Sequence, residues 1–305
     1  MNILIPNYYK EFHCIADKCK NSCCIGWEID IDEKTLDFYE NLKTPLGEKI
    51  RKSISRDGDA HFILGEGERC PFLESNGLCE IIRNMGEVAT CDICRDHPRF
   101  RNFYEDFTEM GIGLCCEEVS RVILNFEKPF EMECLGGAEV FETTEEESQM
   151  LMLREEVFGI LGNRKKSVSQ RFNELSEMFA FSLREVFSEE VIKLYLSLER
   201  LDEGWTSYLE RISIEGDMSF LDKPEFAKAF EQLATYFVFR HFSEGMYDES
   251  FRARIKFALS ACIVIGAITM TEEDASVDTM ADIARRFSSE VEYSEDNMEN
   301  LLSHF

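Results

Sequence analysis

FAKAFEQLATYFVFRH, from Phe226 to His241, and FALSACIVIGAITM, from Phe257 to Met270, decide the fold class of this 305-residue chain. In the first, Phe226, Phe230, Leu233 and Phe237 recur at spacings of three and four, the period of a helix that buries one face. The second is a 14-residue apolar run interrupted by Ser260, short for a membrane span and the right length for a buried helix. The helical period also runs through Phe172, Leu175, Phe179, Leu183 and Val186. Val277, Met280, Ala284, Phe287 and Val291 predict a further amphipathic helix, with Thr271 and Asp274 forming the cap at its start. Pro224 suits the first turn of the Phe226 helix. From about Glu145 onward the chain reads as a helical bundle.

Outward from the bundle, toward the N-terminus, the composition changes. Eleven of the 12 cysteines lie in residues 1–134, and only Cys262 lies beyond. The acidic stretch ETTEEE, Glu142 to Glu147, marks the change and sets the expected boundary: residues 1–141 form a cysteine-rich metal-binding region, residues 142–305 an α-helical domain. The first part reads as short segments broken by turn residues. They include an alternation from Gly26 to Asp32, a loop from Ser55 to Asp59, and Gly65, Gly67, Pro71 and Gly77 close together. Such a region owes its order to something other than a large apolar core. The predicted fold is mainly α, with a metal-ordered cysteine-rich N-terminal region packed on a C-terminal helical bundle.

Thirty-three Lys and Arg face 60 Asp and Glu, a net charge of −27. A nucleic-acid binder needs a cationic surface to displace counterions from phosphate, so that class is excluded, and an anionic membrane surface repels the chain as well. Both parts are acidic, with net charges of −10 for residues 1–134 and −17 for the remainder, so neither hides a basic tail. The start, MNILIPNYYKEFHC, lacks the pattern of a secretory signal, and the expectation is a cytoplasmic protein without a membrane partner. The acidic balance serves solubility, and it also attracts a lysine-bearing partner.

The cysteines fall in blocks: C-x4-C-x3-CC at Cys14, Cys19, Cys23 and Cys24, then Cys70 and Cys79, then C-x2-C at Cys91 and Cys94, then the vicinal pair Cys115 and Cys116. Vicinal cysteines bond poorly to each other, and a reducing cytoplasm disfavours disulfides, so thiolate ligation of metal is the better reading. Sulfur ligands select zinc or iron–sulfur clusters, and spacing alone does not separate the two. The C-x3-C-x2-C loop of radical cluster enzymes is absent, because Gly26 stands where its third cysteine is required after Cys19 and Cys23. Cys134 and Cys262 read as small buried hydrophobes.

Four runs, FHCIADKCKNSCCIGWEIDID (Phe12 to Asp32), CPFLESNGLCEI (Cys70 to Ile81), TCDICRDHPRF (Thr90 to Phe100) and GLCCEEVSRVIL (Gly113 to Leu124), resemble the flagellin lysine-N-methylase family, part of a wider cysteine-rich group described as zinc- or iron-chelating. LERLDEGWTSYL (Leu198 to Leu209) and FEQLATYFVFRHFSEGMYDE (Phe230 to Glu249) extend the resemblance into the helical half. It implies methyl transfer from S-adenosylmethionine to the ε-amine of flagellin lysines, by an enzyme whose cysteines hold a [4Fe-4S] cluster. The family pattern falls on Cys14, Cys19, Cys23, Cys24, Cys70, Cys79, Cys94 and Cys115, with Cys91 and Cys116 as extras. Zinc is the alternative metal, and a non-enzymatic metal-binding protein for storage, delivery or scaffolding is the alternative function.

Lysine methylation requires the neutral amine, whereas the lysine reference pKa is about 10.4, so a proton must be removed. Glu117, beside Glu118 after the vicinal pair, and Tyr236 are the candidate acceptors; their ordinary readings are a solvated helix face and a core aromatic. Arg99, with Arg95 and Arg101 nearby, and Trp27 are candidates for binding the cofactor, by a forked contact to a carboxylate and by stacking on adenine. Arg240, His241 and Asp248 are read as positioning the aromatic helix or the protein substrate. MGIGLCC (Met110 to Cys116) carries two glycines but no G-x-G-x-x-G, which disfavours a nucleotide-sheet methyltransferase.

Overall fold

The computed structural model describes residues 2–136, 141–214 and 218–305. The chain forms two compact units, Cys14–Arg99 and Met1–His13 together with Phe100–Phe305. The units therefore divide on either side of residues 14–99, in place of a single division at 141/142. Strand pairing is the reason. The first strand, β1 (Asn2–Pro6), belongs to the larger unit, because its partners come from segments after residue 100.

In the smaller unit, Asp32 caps α1 (Glu33–Asn41) by accepting from the Thr35 amide, and Thr44 caps α2 (Pro45–Lys52), with Pro45 in the first turn. A short ladder pairs β2 (Ile54–Ser55) with β3 (His61–Phe62), and two one-turn helices follow, α3 (Glu80–Met85) and α4 (Asp92–Asp96). The alternation from Gly26 to Asp32 sends Ile29 and Ile31 inward and leaves Glu28 and Asp30 outside. They meet Tyr39, Ile50, Phe62 and Phe72 in a small core that also includes Cys70 and Cys91.

The larger unit is mainly helical. Among the described residues its sheet has the order β4 (Arg99–Phe103), β5 (Phe107–Ile112), β1, β6 (Met132–Gly136), with β1 parallel to β5 and antiparallel to β6. Between β5 and β6, α5 (Glu117–Leu124) buries Val119, Ile123 and Leu124 in the main core. The acidic stretch is a helix start: Thr144 and Glu147 form a reciprocal capping box that opens α6 (Glu145–Leu161). There follow α7 (Val168–Met178), α8 (Glu189–Ser197), α9 (Glu203–Glu210), α10 (Ala227–His241), α11 (Gly245–Asp248), α12 (Phe251–Thr269), α13 (Val277–Phe287) and α14 (Glu295–His304).

The apolar run becomes α12, buried on all sides from Arg254 to Thr269. Each large apolar side chain that it removes from water contributes about 1.5–3 kcal/mol. At Gly266 a Cβ would stand 2.6 Å from the Phe230 ring and 2.8 Å from Phe220, so glycine sets the close approach of α12 to α10. Glu109 of β5 and Arg154 of α6 form an ion pair inside this core, and the Tyr104 hydroxyl donates to Glu109 at 3.0 Å. Among the described residues no helix is long and apolar enough to cross a membrane.

Three local expectations are corrected. The period from Phe172 to Val186 is not one helix: Ala180 takes φ +55° after α7 ends, and Leu183–Glu185 is a separate 3-10 turn. Ser276, not Thr271, caps α13 by accepting from the Thr279 amide, and Val291 lies beyond that helix in a π-helical turn, Ser288–Glu292. Cys134 is exposed on β6, its thiol directed to the Gly136 carbonyl at 3.4 Å, because an edge position gives it no apolar cover. Cys262 is buried in α12 as a small hydrophobe.

Candidate active-site cleft

A cleft of about 630 Å³ opens in the larger unit, lined by β4, the end of α10, the turn into α12, the π-helical turn and α14. Each wall follows from local sequence. The last residues of α10 are Arg240 and His241, where the periodic apolar run gives way to polar residues. A 3-10 turn, Phe242–Glu244, and α11 then bend the chain back, and Glu249 in the left-handed region closes the bend. Arg254 of α12 holds this bend, donating to Glu244 at 2.8 Å and to Asp248 at 2.7 Å. On the opposite side the π-helical turn widens the backbone after α13 and sends Glu292 inward, a common use of such turns at functional sites.

Glu292 is the centre of a buried network on the cleft floor. Its Oε1 lies 2.7 Å from His241 Nε2, and the Tyr236 hydroxyl donates to its two oxygens at 3.3 and 3.4 Å. Tyr236 in turn accepts from Arg240 Nη1 at 2.8 Å and from the Leu114 amide at 3.2 Å. The Arg240 guanidinium stacks between the Phe100 and Tyr293 rings, 4.9 and 4.7 Å from their centroids, with Nε 3.5 Å from Glu292. Gly111 of β5 makes room for the Phe100 ring, which lies directly over its Cα.

The charges of this network are assigned by its packing. Burial alone raises the Glu292 carboxyl, but Arg240 and the His241 hydrogen bond outweigh it and hold the group below the usual carboxylate range. Burial pushes His241 below its ordinary value despite Glu292, so the contact is a neutral imidazole donating Nε2–H to a carboxylate. Burial likewise raises the Tyr236 phenol, which stays protonated as a donor. Cys115 joins the same network. Burial pushes its thiol up to about 12, against a hydrogen bond to Tyr293 and the charge of Arg240.

Of the other residues singled out in the sequence, Glu117, Trp27 and Arg99 fall outside the cleft lining. Glu117 begins α5, half-buried and outside the cleft lining, while Glu118 is paired with Arg121 at 2.8 Å. In the smaller unit the Trp27 indole donates to the Cys23 carbonyl at 2.7 Å, with its ring 6.1 Å from His97. Arg99 donates to the Arg95 carbonyl at 3.2 Å. Arg101 lines the cleft.

The smaller unit brings Cys24, Cys70, Cys79, Cys91 and Cys94 within electrostatic reach of one another. Burial pushes Cys70 up to about 12, and Cys24, Cys79 and Cys91 add to the rise. Burial also raises Cys79, with Cys24 and Cys91 contributing. The Cys91 thiol is hydrogen-bonded to Cys94 and lies 3.9 Å from the Tyr39 hydroxyl. Cys24 is lowered to about 7, chiefly by a hydrogen bond from Cys23. Cys14 is exposed, and the Cys19 thiol donates to the Asn21 carbonyl at 3.2 Å. Among the described residues no group of three or more Cys, His, Asp or Glu side chains stands in metal-ligating geometry. The thiols fit a thiolate-bound metal in kind and in sharing one small core, and burial with neighbouring thiols disfavours the Cys70 and Cys79 thiolates that a cation stabilises.

The model of the family described as "FliB lysine N-methylase C-terminal domain" matches residues 112–305. The chain belongs to this family. The matched region contains Cys115, Tyr236, Arg240, His241 and Glu292, so most of the cleft floor lies within the family domain. Two curated relatives are named "Lysine-N-methylase", from Salmonella typhimurium and Salmonella choleraesuis, each 28% identical over 128 residues. A third, "Flagellar biosynthetic protein FliU" of Salmonella muenchen, has the same identity over the same length. Each match covers 39% of this chain, 32% of either lysine-N-methylase and 75% of the FliU protein. No solved structure matches.

Of the cleft residues, Phe100, Glu292, Glu295 and Glu299 escape a reading of the sequence. Glu292 is one of 60 acidic residues, and the apolar period that predicts α13 runs on through Val291 without marking the π-helical turn that sends Glu292 inward.

Proposed function

We propose that the chain is a protein-lysine N-methyltransferase that carries a methyl group from S-adenosylmethionine to the ε-amine of flagellin lysines, acting in the cytoplasm. The observation that carries this reading is the family match over residues 112–305, which takes in the network around Glu292. In the reaction the amine lone pair forms a bond to the methyl carbon, the carbon–sulfur bond breaks, and its electron pair stays on sulfur. The positive charge passes from sulfur to nitrogen, so the nitrogen must first lose a proton.

From Cys24, Cys70, Cys79, Cys91 and Cys94 we assign three thiolates to a [4Fe-4S] cluster, which leaves one iron open, with zinc as the alternative metal. When bound, such a group offers an open metal position that orients a chelating amino acid. The residues of the cleft bind and orient the reacting groups and hold the charge that moves between them.

The test is anaerobic purification with iron, sulfide and zinc analysis, followed by incubation with flagellin and isotopically labelled S-adenosylmethionine. Methyl-lysine in flagellin, with about four irons and four sulfides per chain, is the expected result. Stoichiometric zinc without methyl transfer overturns it in favour of a non-enzymatic metal-binding protein.

A further inference from the structure

We infer that the acidic cleft of the larger unit receives the ε-ammonium of the substrate lysine, and that Nδ1 of His241 takes its proton. This rests on the methyltransferase reading above.

The cleft has the shape and charge for a cation on a long apolar stem. Glu295 and Glu299 stand one turn apart on α14 and face the cavity, and neither makes an ion pair among the described residues. Across from them Glu244 and Asp248 are already paired with Arg254. Arg240, on the floor, is compensated by Glu292 and enclosed by two aromatic faces, and with Arg101 as the other cation of the lining the carboxylates still outnumber the cations in the cavity. Met298 and Leu302 of α14 also line the cavity and offer apolar surface on which lysine methylenes pack.

His241 supplies the second, independent observation. The residue is 7% exposed and lines the cavity, yet its Nδ1 takes no hydrogen bond among the described residues. Because ionised Glu292 accepts from Nε2, that nitrogen carries the hydrogen and the ring's free lone pair is on Nδ1. The charged groups facing the ring are Arg240 on its own helix, Glu244 in the following turn, Glu292 in the π-helical turn and Arg254, which donates to the His241 carbonyl at 3.2 Å; Arg101, Glu295 and Glu299 stand across the cavity. When the ammonium N–H bond breaks, its electron pair remains on the lysine nitrogen and the proton bonds to Nδ1. The imidazolium so formed keeps Nε2–H on Glu292, which stabilises it as the partner carboxylate of a histidine base does. Glu292 is thus a positioning residue.

Calorimetry on the full chain with an acetylated, amidated Gly-Lys-Gly peptide tests the receptor. The lysyl peptide binds and its norleucine counterpart does not, and Glu295→Gln with Glu299→Gln weakens binding about tenfold. Failure of the wild type to bind, or undiminished binding by the double variant, overturns the assignment; so does a loss of affinity for S-adenosylmethionine alone, which makes the cleft the donor site. His241→Gln tests the base. Its peptide affinity stays near wild type, while its methyl-transfer rate rises about tenfold per pH unit, following the free amine below a pKa of about 10.4. A pH profile equal to that of the wild type overturns the base role. Methyl transfer with all variants unaffected removes this inference and leaves the function standing. Peptide capture through Glu295 and Glu299 without methyl transfer removes the function and leaves the receptor.

Discussion

His241 Nε2 and Glu292 Oε1 lie 2.7 Å apart, brought together from a helix end and a π-helical turn separated by 51 positions in the chain. Burial keeps the imidazole neutral, and Arg240 keeps the carboxylate ionised against its own burial. The pair therefore joins a neutral donor to a buried charge that Arg240 and Tyr236 also satisfy.

Glu292→Gln preserves the shape of the side chain and removes its charge. Arg240 is then left without its countercharge in a buried site, which costs about 3 kcal/mol. Urea unfolding followed by circular dichroism should show the loss, together with a change of the His241 ring nitrogen signals in NMR. An unchanged midpoint refutes the charge assignment.

Gly111→Ala places a methyl group where the Phe100 ring lies, and the β5 backbone cannot retreat without leaving its pairing with β1. Overpacking of this kind costs about 1–3 kcal/mol. Because Phe100 is one of the two rings on Arg240, the variant should also lose affinity for the lysyl peptide. Calorimetry on the folded variant measures that loss.

Arg154→Met breaks the core ion pair with Glu109 and should destabilise the chain by about 3–5 kcal/mol. Lys193→Ala, at the exposed pair with Glu189, should leave the unfolding midpoint unchanged. Equal effects from the two variants contradict the burial on which the contrast depends.

The His97 imidazole is held down to about 4 by burial, against an unfolded value near 6.5. Between these values the unfolded chain binds more protons than the folded one, so stability falls as pH drops through this window, with a slope approaching about 1.4 kcal/mol per pH unit. Urea midpoints at pH 7 and pH 5 should converge more in His97→Phe than in the wild type. Equal pH dependence of the two proteins counts against a buried neutral His97.

Helix content was legible because burial imposes a period of three and four, and Phe230, Leu233 and Phe237 show that period in α10. Helix ends were less legible. Ala180 and Ser276 act through a backbone conformation and a cap that compete with apolar periodicity, and Thr271 satisfies the same local pattern as Ser276 without being chosen. Tyr236 was visible as one aromatic in an aromatic run, but its role as a donor to Glu292 depends on a turn more than fifty positions away.

The sequence by itself determined the helical class, the buried course of α12 and the gathering of cysteines toward the N-terminus, since composition and period are local properties that water reads directly. Tertiary structure decided that the strand at residues 2–6 pairs with β5 and β6, that the Cys115 thiol faces Arg240 and Tyr293, and which few of 60 acidic side chains line a cleft. Those outcomes follow from contacts between distant segments. The energy of such a contact depends on burial and on the neighbouring charges, and neither is a property of any one stretch of chain.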